Sequence, residues 1–166
     1  MQLYREYTGS LWTSINFYII YLEVARYISR AIGLVESNYC LEELFNMLTR
    51  EDIFKHVEAN YGTLPDYPFS KFPNYAVLRH ISDGKWYGLV MNVLPEKLGL
   101  DGNDGVDILN LKCPPELNDI LRNGKDILPA YHMNKEHWIT LVLERADPKG
   151  EIYKLIEQSF YLTKES

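Results

Sequence analysis

The sequence predicts a two-layer α+β domain, with a mostly antiparallel sheet that carries helices on one face, plus an N-terminal helical extension. A hairpin signal is the first reason, because Asp83-Gly84 lies between two apolar runs, "YAVLRHI" and "KWYGLVMNV". The second is the order of the elements, since helical segments come before and after a group of strands instead of alternating with them. The third is size, because 166 residues suit one core.

Helical patterns fill the N-terminal part of the chain. Residues 11–32 are predicted to form a helix that Ser10 can cap and that Gly33 ends. The segment "NYCLEELFNML" predicts a second, shorter helix. Together they make up the extension, residues 1–47, to which the sequence assigns no role.

The α+β domain is predicted to span residues 48–166 and to begin with a helix. In "TREDIFKHVEANYG", Thr49 is a capping hydroxyl, Ile53 and Val57 share one helix face, and Gly62 lies past the end. Three prolines then exclude a helix or a central strand from "GTLPDYPFSKFPNY". After the hairpin, the predicted elements are a strand at "VDILNLKC", a helix at "PPELNDILRNG", strands at "ILPAYHM" and "HWITLVLE", and a helix over residues 150–163.

Charge and cysteine content narrow the class of protein. Lys and Arg number 17 against 23 Asp and Glu, and the net charge of −6 repels a phosphate backbone unless a local basic patch overrides it. Cys40 and Cys113 form no CxxC pair and no disulfide framework, so we expect a reducing compartment and a cytoplasmic location. The run "FYIIYL" is far shorter than the roughly 20 apolar residues that span a bilayer, so we expect no membrane contact.

Five segments carry a family resemblance: "LTREDIFKHVEANYGTLPDYPF", "FPNYAVLRH", "GKWYGLVMNV", "VDILNLKC" and "LPAYHMNKEHWITLVLE". Its strongest signature is "NLKC" followed by "YHMNKEHWIT". In these segments, over roughly residues 48–163, the chain resembles the MmcQ/YjbR-like family. The resemblance implies a small two-layer α+β fold of the kind described as a DNA-binding "double wing".

Side chains alternate along a strand, so each predicted strand has two faces. One face of each long strand is apolar and is expected to contact the helices: Tyr87, Leu89, Met91 and Val93; Leu109, Leu111 and Cys113; Ile139, Leu141 and Leu143. The opposite faces carry Trp86, Lys112 and Trp138. Such a face can serve as a platform on which bases stack, or it can be covered by the N-terminal helix or by a second subunit.

The stretch "YHMNKEH" before the last strand concentrates polar side chains. His132 and His137 do not have the HxxxH spacing of a helical zinc site, and no third ligand follows, so we expect neither a metal nor a cofactor. Lys112, His132, Asn134 and Lys135 can offer positive charge and donors to a phosphate or carboxylate. The alternative is a loop tied to the sheet by its own hydrogen bonds, in which Asn134 forms a turn.

These features favour a protein that is not an enzyme. The sequence contains no GxSxG, P-loop or GxGxxG motif, and Cys113 shares a strand face with leucines, where a thiol is expected to be buried and unreactive. The first functional hypothesis is a DNA-binding module that contacts nucleic acid through Lys71, Arg79, Lys112 and Lys135. The alternative is an interaction protein that binds a peptide, a partner protein, a second copy of itself or a small anionic ligand.

Overall fold

The structure is a computed structural model that describes residues 47–122, 124–145 and 149–164. The predicted N-terminal helices therefore lie outside the described residues, apart from the end of the second, and the division after residue 47 stays a prediction. The elements in chain order are α1 (Arg50–Tyr61), β1 (Ala76–Arg79), β2 (Trp86–Val93), a 3-10 turn (Pro95–Leu98), β3 (Val106–Lys112), α2 (Pro115–Leu121), β4 (Ile127–Pro129), β5 (Trp138–Val142) and α3 (Lys149–Lys164).

Five strands form one antiparallel sheet in the order β1-β2-β3-β5-β4. The helices pack on one of its faces, where Ile53 and Val57 of α1 and Ile152 and Ile156 of α3 share a buried core with strand side chains. The predicted α+β class is thus confirmed, with an antiparallel sheet and helices on one face.

Local sequence signals account for the start of the domain. The Thr49 hydroxyl accepts the Asp52 amide hydrogen at 3.2 Å, and the Asp52 carboxylate accepts the Thr49 amide hydrogen at 3.1 Å, which forms a capping box. Gly62 ends α1 with a left-handed φ of 68°. Both ends of α1 are therefore where the sequence predicts them.

The predicted hairpin joins β1 to β2. His80 donates its amide hydrogen to the Lys85 carbonyl at 2.9 Å, and Gly84 donates to the His80 carbonyl at 2.9 Å. Gly84 has a φ of 71°, which a residue with a side chain adopts only under strain. The Asp-Gly signal thus marks the turn correctly.

A β-bulge in β2 changes the faces predicted for that strand. Leu78 is paired with Gly88, but the next residue, Arg79, is paired with Trp86, so Tyr87 is an extra residue in β2. One extra residue reverses the alternation that follows it. Tyr87 faces the helices as predicted, whereas the prediction was wrong for three residues that lie on the opposite face: Leu89, Met91 and Val93.

The second face of the sheet is covered in part by loops of the same domain. Val77, Ile108 and Val142 belong to an apolar cluster on this face. Side chains from three loops pack against the cluster: Phe69, Tyr75, Leu98, Leu100, Tyr131 and Met133. The sequence suggests the N-terminal helix or a second subunit as the cover and does not indicate these loops. Within the described residues, no helix is both long and apolar enough to cross a membrane.

Candidate functional site

Two cations and two indoles lie at one end of the second sheet face. Arg79 of β1 is opposite Trp86 of β2, and Lys112 of β3 is opposite Trp138 of β5. Because β2 and β3 are neighbours and antiparallel, the start of β2 and the end of β3 lie at the same end of the sheet. We call Arg79, Trp86, Lys112 and Trp138 the cation–indole row.

The Arg79 side chain is held against the Trp86 ring. Its guanidinium carbon lies 5.1 Å from the ring centroid, and Nε lies 2.6 Å from Asp66 Oδ2. Phe69 contacts the same indole edge-on, with the ring centroids 5.9 Å apart. Asp66 neutralises part of the arginine charge, and the Trp86 indole remains half-buried.

Lys112 stands between the two indoles in the strand order. Its backbone amide hydrogen is accepted by Ser159 Oγ of α3 at 2.8 Å, which fixes the end of β3. Its side chain is half-buried, as is that of Trp138. Among the described residues, no carboxylate lies within 4.0 Å of the Lys112 ammonium, so this charge has no ion-pair partner there.

Buried hydrogen bonds tie the polar loop before β5 to the sheet. Asn110 Nδ2 donates to the Tyr131 carbonyl at 2.7 Å, and the Tyr131 amide donates to Thr140 Oγ1 at 2.9 Å. The Thr140 hydroxyl in turn donates to Asn110 Oδ1 at 2.6 Å, which closes a ring of three hydrogen bonds. Asn110 and Thr140 are fully buried, so this ring anchors the loop.

A second set of bonds comes from α2. Asn118 Nδ2 lies within hydrogen-bond distance of the carbonyl oxygens of Lys135, Glu136 and Trp138. Arg122 also donates to the Lys135 carbonyl. These contacts, together with the Asn110–Thr140 ring, support the interpretation that the loop is tied by internal hydrogen bonds.

The side chains of this loop that were proposed to bind anions remain accessible. Asn134 Oδ1 accepts the Glu136 amide hydrogen at 2.9 Å, so Asn134 forms the predicted turn. His132 and Lys135 are exposed, and the His132 ring lies 4.0 Å from the Tyr131 ring. The backbone of the loop is therefore structural, while two of its cationic or titratable side chains can meet a ligand.

Lys71 lies in a different place from the other proposed residues. It lines an open cavity of about 300 Å³ together with the rest of residues 71–75, the end of β2, Lys97 and Tyr131. This cavity was not foreseen from the sequence, because it combines three segments that are far apart in the chain. The local sequence signals that predict the hairpin and the loops do not indicate that these segments lie close together in space.

The Cys113 thiol lies in the described part of the chain. Cys113 is buried on the helix side, and burial raises the pKa of its thiol. The predicted burial is confirmed. In the same part of the chain, no three His, Cys, Asp or Glu side chains are arranged to hold a metal ion.

Comparison with known proteins identifies the family. The family model described as YjbR matches residues 58–162. The chain belongs to the YjbR family. The Bacillus subtilis (strain 168) protein YyaQ is 75% identical over 118 residues, which are 71% of this chain and 100% of that protein. YjbR of Escherichia coli K12 is 40% identical over 53 residues, which are 31% of this chain and 45% of that protein.

Solved structures share the fold of this YjbR member. A Pseudomonas syringae protein with a crystal structure is 47% identical in sequence to this chain, and the two structures have a TM-score of 0.68. The match covers 70% of this chain and 99% of that chain. A Deinococcus radiodurans protein, described as a DUF419 domain, is 26% identical with a TM-score of 0.54, over 70% of this chain and 79% of its own. The resemblance seen in the sequence is thereby confirmed.

Proposed function

We propose that the protein is a DNA-binding module, not an enzyme, and that it holds single-stranded DNA on the cation–indole row. The observation that supports this best is the alternation of guanidinium, indole, ammonium and indole across β1, β2, β3 and β5. Indole rings stack on any base, with about 1–3 kcal/mol per base, while lysine and arginine contact the phosphates between bases. The row provides both kinds of contact side by side.

The charges at this end of the sheet favour single strands over a duplex. Arg79, Lys85 and Arg122 each lie near an aspartate, so their charges are partly cancelled. A duplex offers mainly phosphates to such a surface, because its bases are stacked inside, whereas unpaired bases can stack on Trp86 and Trp138. Binding should therefore depend more on stacking than on charge. The affinity should fall only slightly with rising salt concentration, as expected for about two phosphate contacts.

The surroundings of one cysteine and one histidine support a binding role over a catalytic one, because thiols and imidazoles are common nucleophiles and general acids or bases in enzymes. The Cys113 thiol is buried with a raised pKa, which disfavours the reactive thiolate. His80 is buried, burial lowers its pKa, and its Nε2 is engaged with Thr163 Oγ1 at 2.7 Å. Neither group belongs to the cation–indole row.

The test is a fluorescence-anisotropy titration of a labelled oligodeoxythymidine of about 15 nucleotides, in about 50 mM salt. Trp138→Ala should weaken binding about tenfold through the lost stacking. Lys112→Ala should weaken it less and should lower the slope of log affinity against log salt by about one. Lys154→Ala, which removes the charge of an exposed lysine on α3, is the matched control and should bind like the parent protein.

Three results would overturn the proposal. The first is no binding at tens of micromolar protein, because phosphate contacts are strongest at low salt. The second is an equal loss in Lys154→Ala and Lys112→Ala, which would mean that only net charge matters. The third is tighter binding of a duplex of the same sequence than of the single strand.

A further inference from the structure

In the described part of the chain, the only charged residues that line the cavity at Lys71 are two lysines. Lys71 comes from the proline-rich loop and Lys97 from the 3-10 turn, and both side chains are exposed. Among the residues that line the cavity there is no aspartate or glutamate. Within the described residues, no carboxylate lies within 4.0 Å of either ammonium group. Two cations facing one space attract an anion into it.

An acid next to the cavity wall is already engaged. Asp107 accepts a hydrogen bond from Asn92 Nδ2 at 2.9 Å and lies 3.7 Å from Arg50 Nε. Arg50 also donates to the Asn74 carbonyl at 2.6 Å, which fixes a lining residue of the cavity. The carboxylate is thus compensated by Arg50 and leaves the charges of Lys71 and Lys97 for a ligand.

The cavity also has a flat aromatic wall and two phenols. Phe72 and Tyr75 are stacked with their ring centroids 4.8 Å apart and their planes at 16°, and 51% of Phe72 is exposed. Burial, and then the nearby Tyr131, raises the pKa of Tyr75, so its hydroxyl stays protonated and can donate. Val93 and Leu94 add apolar surface beside these rings.

We propose that this cavity is a binding site for a small organic anion, namely a planar ring that carries a carboxylate or a phosphate. The anionic group would lie between Lys71 and Lys97, and the ring would lie against Phe72. A cavity of about 300 Å³ is at the small end of ligand sites, which limits the ligand to about one ring with its acidic group. The site is independent of the cation–indole row, because it uses none of the residues of the row.

The test uses phenyl phosphate and benzoate as probes in a titration followed by ¹H–¹⁵N correlation NMR of the full chain. Both probes should cause saturable shifts of the non-proline amides in residues 71–75, in residues 92–97 and at Tyr131. Inorganic phosphate, which lacks the ring, and phenol, which lacks the strong anion, should bind at least about fivefold more weakly than phenyl phosphate. Lys71→Ala and Lys97→Ala should each weaken phenyl phosphate binding about fivefold.

The controls distinguish binding in this cavity from a general effect of charge. Lys154→Ala changes the net charge equally and should leave the affinity for phenyl phosphate unchanged. Shifts centred on other residues, no saturation, or unchanged affinity in Lys71→Ala with Lys97→Ala would overturn the proposal. The same double variant should still bind the oligodeoxythymidine, so failure of the cavity proposal and failure of the DNA-binding proposal give different results.

Discussion

The Ser159 hydroxyl of α3 donates a 2.5 Å hydrogen bond to the Tyr87 carbonyl in the bulged part of β2. The same oxygen accepts the amide hydrogen of Lys112 at 2.8 Å. Pairing between β2 and β3 ends with Gly88 opposite Leu111. Beyond this pair, the Ser159 hydroxyl forms the hydrogen bonds that the two strands do not form with each other. Ser159 therefore supports the backbone from which Lys112 projects.

Ser159→Ala should lower the free energy of unfolding by at least about 2 kcal/mol. The reason is that two backbone groups, the buried Tyr87 carbonyl and the partly buried Lys112 amide, lose their partner, and each such loss costs about 1–3 kcal/mol. Urea unfolding followed by circular dichroism measures the change. Ser82→Ala, at an exposed serine of the hairpin turn, is the control and should change stability little. A loss under about 0.5 kcal/mol in Ser159→Ala would contradict this role.

Gly88→Ala should also destabilise the domain, by about 1–3 kcal/mol, through overpacking. A Cβ at Gly88 would lie 2.9 Å from Leu78 Cδ1, which is closer than two carbon atoms can pack. Leu78→Val removes that atom, so the cost of Gly88→Ala should be smaller in the Leu78→Val background. The free energies of unfolding of the two single variants, the double variant and the parent form a double-mutant cycle. An equal cost of Gly88→Ala in both backgrounds would show that the clash with Leu78 is not the cause.

Elements set by local chemistry could be predicted from the sequence. The start of α1 follows from Thr49, whose hydroxyl meets the amide three residues on, and its end follows from Gly62 in a left-handed conformation. The β1–β2 turn follows from Asp83-Gly84 in the same way. Each signal acts over a few residues, so no knowledge of the tertiary structure is needed to interpret it.

Features that depend on distant parts of the chain could not be predicted. The bulge at Tyr87 is invisible in the alternation of β2, because the strand is apolar on both sides and either register is compatible with its sequence. The cavity was missed for a related reason, since nothing in the sequence around Lys97 indicates that it meets Lys71. The cation–indole row was partly foreseen, because Trp86, Lys112 and Trp138 fall on one face by alternation alone.

Acid should destabilise the domain through His80. This ring is buried against Tyr87 and Phe160. Burial lowers its pKa below the ordinary 6.5. The charge of Asp83 opposes this shift, while the charges of Lys85 and Lys164 add to it. The folded chain thus prefers the neutral ring, whereas the unfolded chain takes up the proton near pH 6.5. The contribution of His80 to stability is complete above pH 6.5 and is lost as the pH falls through the lowered pKa of the folded state.

The measurement for His80 is the free energy of unfolding at several values between about pH 7.5 and pH 5. His80→Gln, which keeps a polar group near Thr163, should show a smaller decrease over this range than the parent protein. Some decrease should remain, since burial also lowers the pKa of His56. His132→Gln, at an exposed histidine, should behave like the parent protein. Equal decreases in His80→Gln and the parent would contradict the assignment.

The last prediction concerns Asn118, which links α2 to the loop that carries Lys135 and Trp138. Its Nδ2 lies 3.1, 3.0 and 3.2 Å from the carbonyl oxygens of Lys135, Glu136 and Trp138. Asn118→Ala removes the donor, while Asn118→Asp puts a carboxylate against three carbonyl oxygens in a buried position.

Both variants should lower the free energy of unfolding, Asn118→Ala by about 1–3 kcal/mol and Asn118→Asp by at least about 1 kcal/mol more. Because the amide positions the backbone before Trp138, Asn118→Ala should also weaken oligodeoxythymidine binding under conditions where the variant remains folded. Urea unfolding and the anisotropy titration measure the two effects. Asn103→Asp, at an exposed asparagine, controls for the added charge. Equal stability of Asn118→Asp and Asn118→Ala would show that the amide does not donate to these carbonyls, and the loop would then be held by the Asn110–Thr140 ring and by Arg122.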